Sequence, residues 1–354
     1  MIDYGAGPAT DEFEISLFGP GYGEAIAVHL GEKNWLLVDS CLDPFVKQPA
    51  SAVYLDQIGV APDRIKAIVA SHWHDDHVKG ISVLAAKYPA AEFMLSSVFN
   101  DKEAAQFLAA FTDNNAPSQA SGTTELYNVI ESHENVFPVQ HRTIVLDVQL
   151  TGRQVRAMAL SPLPMAVMQS IAHMAQYIPK KGGDSPIGHA PELKPNMEAV
   201  AIHIDLGGDA ILLGSDLENH KTHGWTALVS NAWTTSQKKA SAYKVAHHGS
   251  VTADIPGIWT SLLAADPVAV LTPFSRSRLP SDVDKARMRN FTKHRYISSG
   301  KTRKPDMDSK QLKRLSDICR NLVSINSGFG AIRLRKQFDA QEWRVECFGF
   351  AQAF

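Results

Sequence analysis

The chain has 354 residues, of which 44% are hydrophobic and 20% charged, with a formal net charge of −2 at pH 7. That length can bury a substantial core, and the balance is that of an ordinary globular chain rather than a disordered or uniformly basic one. No run approaches the roughly 20 apolar residues of a membrane helix, and Met1-Ile2-Asp3-Tyr4-Gly5 lacks a basic segment followed by an apolar one, so a cytoplasmic location without a membrane partner is expected.

Near the start, Phe13–Phe18, Ala25–Leu30 and Trp35–Asp39 are apolar runs punctuated by Gly, Pro and Asn, which predicts consecutive antiparallel strands. The intervening Gly19-Pro20-Gly21-Tyr22-Gly23 resembles a dinucleotide loop only superficially, since the third glycine falls at the wrong spacing and no helix follows. A short helix is expected over Ala50–Ile58, and then a strand that starts at Asp63 and carries the apolar run Ile65–Ala70. Helical spacing returns over Ile81–Tyr88 and is stopped by Pro89, with a strand over Glu92–Leu95. Residues 100–134 read as a helix-rich insert.

Thr143–Leu150, Gln154–Leu160 and Ala199–Asp205 form a second set of expected strands, with Ala210–Leu213 as a hairpin partner across Gly207-Gly208. The interruption from Pro162 to Pro195 reads as a methionine-rich helix over Met165–Tyr177 and then a loop over Pro179–Pro186, a length typical of a functional lid or a disordered segment. A strand is expected to begin at Lys244, helices to surround Ile258–Leu263 and to span Asp282–Lys293, and Gly330–Leu334 with Trp343–Phe348 to close the chain as a strand pair. The three cysteines, Cys41, Cys319 and Cys347, follow no ligand spacing and are expected to be buried thiols.

The most informative segment is Ser71-His72-Trp73-His74-Asp75-Asp76-His77, which packs three imidazoles and two carboxylates against the end of an expected strand. Nitrogen and carboxylate donors suit Zn²⁺, Mn²⁺ or Fe²⁺, and a cluster this dense is electrostatically poor without cations. Ile211–Asp216 and Tyr243–Ser250 repeat the pattern: an apolar strand ending in Gly214-Ser215-Asp216, and another ending in His247-His248-Gly249-Ser250. Three strand ends delivering metal-type donors are a way to build a rigid site on a sheet edge. Asp216 has two oxygens with which to bridge cations. From Arg276 to Arg314 there are thirteen Lys and Arg against four Asp, an excess that suits either a polyanionic partner or a solvated helical face.

His72-x-His74-x-Asp76-His77, Gly214-Ser215-Asp216 and Lys244-Val245-Ala246-His247-His248-Gly249-Ser250 together resemble the metallo-β-lactamase fold superfamily of metal-dependent hydrolases. The last run is similar to the branch containing the soluble hydrolase domain of bacterial DNA-uptake channel proteins and the phosphorylcholine esterases. The resemblance implies a four-layer αββα sandwich. Residues 1–354 would form one hydrolase domain, with inserts near 100–134, 162–195 and 274–320. It implies that His72 and His74 hold a first ion, that Asp76 and His77 hold a second, and that Asp216 bridges them. His247 is preferred over His248 to complete the second site, leaving His248 facing substrate, although adjacent histidines are not separable from sequence. A further histidine usual in the family is missing from Ala157–Pro162, and His173, His189 and His203 are the nearby candidates.

The expected cofactor is Zn²⁺, one or two ions, with Mn²⁺ as the alternative. The expected reaction is hydrolysis of a phosphodiester, in nucleic acid, a nucleotide or a related phosphoester, by water activated on the metal. Asp76, Asp216 and His248 would act in catalysis, and Lys244 and Ser250 would bind substrate. Hydrolysis of a lactone, lactam or thioester is the alternative enzyme class, and a catalytically weak module binding metal and nucleic acid is the other.

Overall fold

The structure, a computed structural model, describes residues 2–19, 23–112, 121–178, 194–300, 308–318 and 328–354. The first strands are β1 (Glu12–Gly19), β2 (Ala25–His29), β3 (Trp35–Val38), β4 (Ile65–Ala70), β5 (Glu92–Ser96) and β6 (Val136–Val139). They are followed by β7 (Ile144–Leu150), β8 (Arg153–Ala159), β9 (Ile202–Asp205), β10 (Ala210–Leu213), β11 (Ala240–Lys244), β12 (Leu263–Leu271) and β13 (Arg295–Ile297). The chain ends with β14 (Gly330–Gln337), β15 (Arg344–Gly349) and β16 (Gln352–Ala353). These form two eight-stranded mixed sheets, in the orders β15-β14-β1-β2-β3-β4-β5-β6 and β16-β13-β12-β11-β10-β9-β8-β7.

Alternation of side chains along the strands builds the layers. Ile15, Leu17, Leu36, Val69, Ile204, Ile211 and Val270 meet between the sheets. The opposite faces of the same strands pack on helices: Phe18, Leu37 and Ile68 against Tyr54, Leu84 and Leu126, and Leu212, Tyr243 and Leu271 against Trp225, Ile258 and Met288. Helices therefore cover both outer faces, and the architecture is the expected αββα sandwich of the metallo-β-lactamase fold. The antiparallel start of the chain, the β9–β10 hairpin and the closing β14–β15 pair also agree with the sequence reading.

Several elements depart from that reading. Lys244 ends a strand instead of beginning one, and the apolar run after Ile258 is a single wide helical turn that passes into β12. The helix expected to reach Lys293 stops at Met288. Of the cysteines, Cys41 is buried but Cys347 is exposed, because β15 is an edge strand; Cys319 lies outside the described residues. The expected helix at Met165–Tyr177 is observed over Pro164–Ala175, while the loop expected over Pro179–Pro186 lies outside the described residues, as do Pro20–Tyr22. Among the described residues no helix is long and apolar enough to cross a membrane.

What positions the site is strand direction. β3 and β4 run parallel, as do β10 with β11 and β11 with β12, so their C-terminal ends open on one edge of the sandwich. The residues that follow these strands share that edge.

Candidate metal centre

Asp76, His77, Asp216 and His248 are all buried, and each offers one donor atom within 4.8 Å of the others. The His77 Nε2 lies 3.4 Å from Asp216 Oδ2 and 3.7 Å from Asp76 Oδ2, and the His248 Nε2 lies 3.5 and 3.4 Å from the same two oxygens. Neither imidazole Nε2 has a hydrogen-bond partner, nor has Asp216 Oδ1. Buried polar atoms in folded proteins are nearly always paired, so three orphans in one cluster mark a place prepared for an ion. Two imidazole nitrogens and two carboxylates fit a divalent cation of the Zn²⁺ or Mn²⁺ type.

The backbone pays for this convergence in strain. Ser215, His247 and His248 have φ of 46°, 46° and 52°, and Asp39, at the end of β3, has 61°. Non-glycine residues in the left-handed region are uncommon and gather at functional sites. The motif itself is clamped from outside: Gly122, at the start of the helix Gly122–Ser132, donates its N–H to Asp75 Oδ1 at 2.7 Å, and a Cβ there would overlap the Trp73 carbonyl.

The other nitrogen of each imidazole donor is already engaged, which fixes ring orientation. His77 Nδ1–H donates to Asp39 Oδ2 at 2.7 Å, and Asp39 also accepts from the Ser71 N–H and hydroxyl. His248 Nδ1–H donates to the Thr272 carbonyl at 3.1 Å, and the Thr272 hydroxyl donates to Glu24 Oε2 at 2.5 Å. Asp39, Thr272 and Glu24 were not singled out from sequence. Asp39 carried the same signal as Asp216, a carboxylate closing an apolar strand, whereas Glu24 carried none.

Electrostatics follow from the geometry. Burial disfavours the His248 imidazolium, but Asp216, Asp76 and Glu24 outweigh it and push its pKa up to about 9. His77 is raised in the same way, against burial, by Asp216, Asp39 and Asp76. Asp76 and Asp216 are held below the usual carboxylate range, since the two histidines overcome the burial that would raise them. Without a cation the cluster therefore balances itself with protons, which an arriving ion must displace. His72 is shifted the other way by burial and by His77 and His74, and His74 by burial; both stay neutral at pH 7 and keep a lone pair.

The remaining sequence candidates fall into place around this group. His72 and His74 lie beside it, His72 Nε2 at 3.0 Å from His74 Nδ1, with the His72 and His77 ring centroids 4.3 Å apart. Of the adjacent pair, His248 and not the preferred His247 joins the donors. The left-handed turn sends His247 to the mouth, where its Nδ1 is 3.1 Å from Glu218 Oε1 and its Nε2 4.0 Å from Asp216 Oδ2. Lys244 does not face substrate, because β11 carries it into the interior, where it is 1% exposed and ion-paired with Glu24. Ser250 is 7% exposed and its hydroxyl sits 3.0 Å from Thr252 Oγ1. His203, opposite Leu212 of β10, has its Nε2 engaged 2.7 Å from the Lys238 carbonyl, and His173 is exposed on the helix Pro164–Ala175; His189 lies outside the described residues. Just after that insert, the half-buried Asn196 places its Nδ2 3.4 Å from His247 Nε2, and its buried Oδ1 has no partner among the described residues.

Part of the basic segment is committed to local partners. Arg287 bonds Asp254 and Asp284, Lys285 pairs with Asp282, and Arg295 bonds the Phe354 carbonyl; Lys301, Arg303 and Lys304 lie outside the described residues. Arg276 and Arg278 are exposed and carry no ion pair among the described residues. They sit on the turn that Phe274 and Leu279 close, and Phe274 stacks on His248 with ring centroids 5.2 Å apart.

The family model described as the metallo-β-lactamase superfamily matches residues 18–148, a span that contains His72–His77 but neither Asp216 nor His248. This match supports a metal-dependent hydrolase. Solved structures of similar fold include a B3 metallo-β-lactamase with an active-site glutamic acid, at 17% identity over 61% of this chain and 65% of that one, with a TM-score of 0.32. This chain thus spans just under two thirds of that protein's length. Others are the metallo-β-lactamase fold protein YhfI from Bacillus subtilis (13% identity, 81% of this chain and 95% of that one, TM-score 0.39) and MEM-A1, a subclass B3 metallo-β-lactamase from a soil metagenome library (15%, 67% and 78%, 0.34). No curated protein matches the sequence.

Proposed function

We propose that the chain is a metal-dependent hydrolase of phosphodiesters, with residues 1–354 working as one unit and Asp76, His77, Asp216 and His248 holding a divalent ion, Zn²⁺ or Mn²⁺. The observation that carries this reading is the set of buried donor atoms left without partners. A divalent ion there lowers the pKa of a bound water from 15.7 toward about 7 and polarises the bond to be cleaved. His72 and His74, neutral and adjacent, are the groups available for a second ion.

The chain's own residues supply the rest. Asp39 and Thr272 keep the Nε2 atoms of His77 and His248 directed at the ion by taking up their Nδ1 protons. Phe274 covers one face of His248 and keeps solvent from it. Arg276 and Arg278, without an ion pair among the described residues and close in chain to Phe274, meet an anionic substrate, and arginine suits the geometry of phosphate oxygens. These two residues favour a phosphodiester over a neutral lactone or lactam. With Lys244 and Ser250 enclosed, substrate charge is read at the rim and not on the floor.

The test is hydrolysis of bis(p-nitrophenyl) phosphate and of single-stranded DNA by protein reconstituted with Zn²⁺ or Mn²⁺. Arg276→Ala with Arg278→Ala should raise KM for DNA several-fold, leave metal content unchanged and flatten the salt dependence. Turnover of nitrocefin or a lactone without phosphodiester cleavage would move the assignment to the other enzyme class. Protein that takes up no metal would end it.

A further inference from the structure

Beneath the donor group lies a second buried cluster. Glu24, Asp39 and His77 offer donor atoms within 4.8 Å of one another, and with Asp76 and Asp216 this makes four buried carboxylates around two imidazoles. Glu24 is the hub: its backbone N–H donates to the Asp76 carbonyl at 2.8 Å, its Oε2 accepts from Thr272, and its Oε1 lies 3.9 Å from His77 Nδ1. Such a concentration of negative charge out of water is unfavourable unless something positive is fixed within it.

Lys244 supplies that charge. Its Nζ pairs with Glu24 Oε1, donates to the Ser215 carbonyl at 3.2 Å and lies 3.8 Å from Asp216 Oδ1. That oxygen has no hydrogen-bond partner and points at the ammonium, while Asp216 Oδ2 points at both histidine Nε2 atoms. The two oxygens of one carboxylate thus face different groups, Oδ1 the buried ammonium and Oδ2 the histidine nitrogens of the donor group. Ser215, to which Lys244 also bonds, is the strained residue just before Asp216.

We propose that Lys244 is a positioning residue: a resident cation that holds Asp216 by Oδ1 and the Ser215 carbonyl, so that Oδ2 is presented to the divalent ion. The inference rests on the metal-site reading above. Lys244 touches neither substrate nor the ion and acts through Asp216.

Zn²⁺ titration of the full chain by calorimetry tests it. Lys244→Met alone strands Glu24 in the interior and is expected to unfold more easily, so the decisive variant is Lys244→Met with Glu24→Gln, which removes both charges of the pair. The double variant should fold and bind Zn²⁺ about 10–100-fold more weakly, the size expected when an outer partner of a ligand is lost. Glu24→Gln alone, which leaves the ammonium on Asp216, should lose less. An affinity in the folded double variant equal to that of the unaltered protein would reduce Lys244 to a structural partner of Glu24 and overturn the proposal. A loss in Glu24→Gln as large as in the double variant would overturn it too, by assigning the effect to Glu24. Absence of Zn²⁺ binding by the unaltered protein would instead remove the metal-site reading on which both stand.

Discussion

The two ends of β10 and β11 are built from the same kinds of residues and differ in one respect. At the N-terminal end a cleft of about 900 Å³ is lined by Arg153, Asp205, Asp209, Ser241, Lys336 and Phe338. Its charges are matched: Lys336 pairs with Asp209 at 2.6 Å, Lys238 with Asp205 at 3.1 Å and Arg153 with Asp339 at 3.0 Å, while Trp343 donates to Ser241 at 2.7 Å. At the C-terminal end Asp216, His77 and His248 keep atoms with no partner. A satisfied polar network stabilises a fold, whereas unsatisfied buried donors require something from outside it.

Breaking each end should give different losses. Asp216→Ala should take phosphodiester cleavage to background and abolish Zn²⁺ binding, measured by turnover and by metal content after dialysis. Retention of the metal would sink the contrast. At the far end, Lys336→Met strands Asp209 and should cost about 3 kcal/mol of stability in a urea titration while Zn²⁺ affinity stays put. Asp39→Asn, which leaves His77 without its anionic orienting partner, should lower activity by about 10–100-fold with little change in KM.

The smallest effect sharpens the comparison through pH. Glu198 lies under the motif, accepting from the Trp73 indole N–H at 2.9 Å, and burial pushes its pKa up to about 7. Its folded value exceeds its unfolded value of about 4.5, so it costs nothing below pH 4.5. Its contribution to stability is lost as pH rises from there through 7. Glu198→Gln keeps the acceptor for Trp73 without the charge, and should raise Tm by at least about 2 °C at pH 8 and leave it unchanged at pH 4. Equal shifts at both pH values would show that the carboxyl is not carried protonated.

The histidine motif was legible because its donors are contiguous and follow an apolar strand, and the same pattern exposed Asp216 and the 247/248 pair. The choice within that pair was not legible. It depends on two successive left-handed residues, which no local preference predicts for histidine. Lys244 could be read as a substrate contact because sequence alone does not say that β11 is flanked on both sides by parallel strands and buried. β12 was hidden by Asp266-Pro267 in its middle, where Asp266 has φ of 51° and the register with β11 shifts. β6 was masked by Pro138, tolerated there because β6 is an edge strand.

The hydrogen bond between Thr272 and Glu24 spans 248 positions of sequence, and the four donors come from both sheets. A chain that has emerged only as far as β6 carries Asp76 and His77 without Asp216 or His248, and so has only half of the four-donor group. Contacts at such separation also form late. An ion that needs all four donors could be held only after both halves have docked.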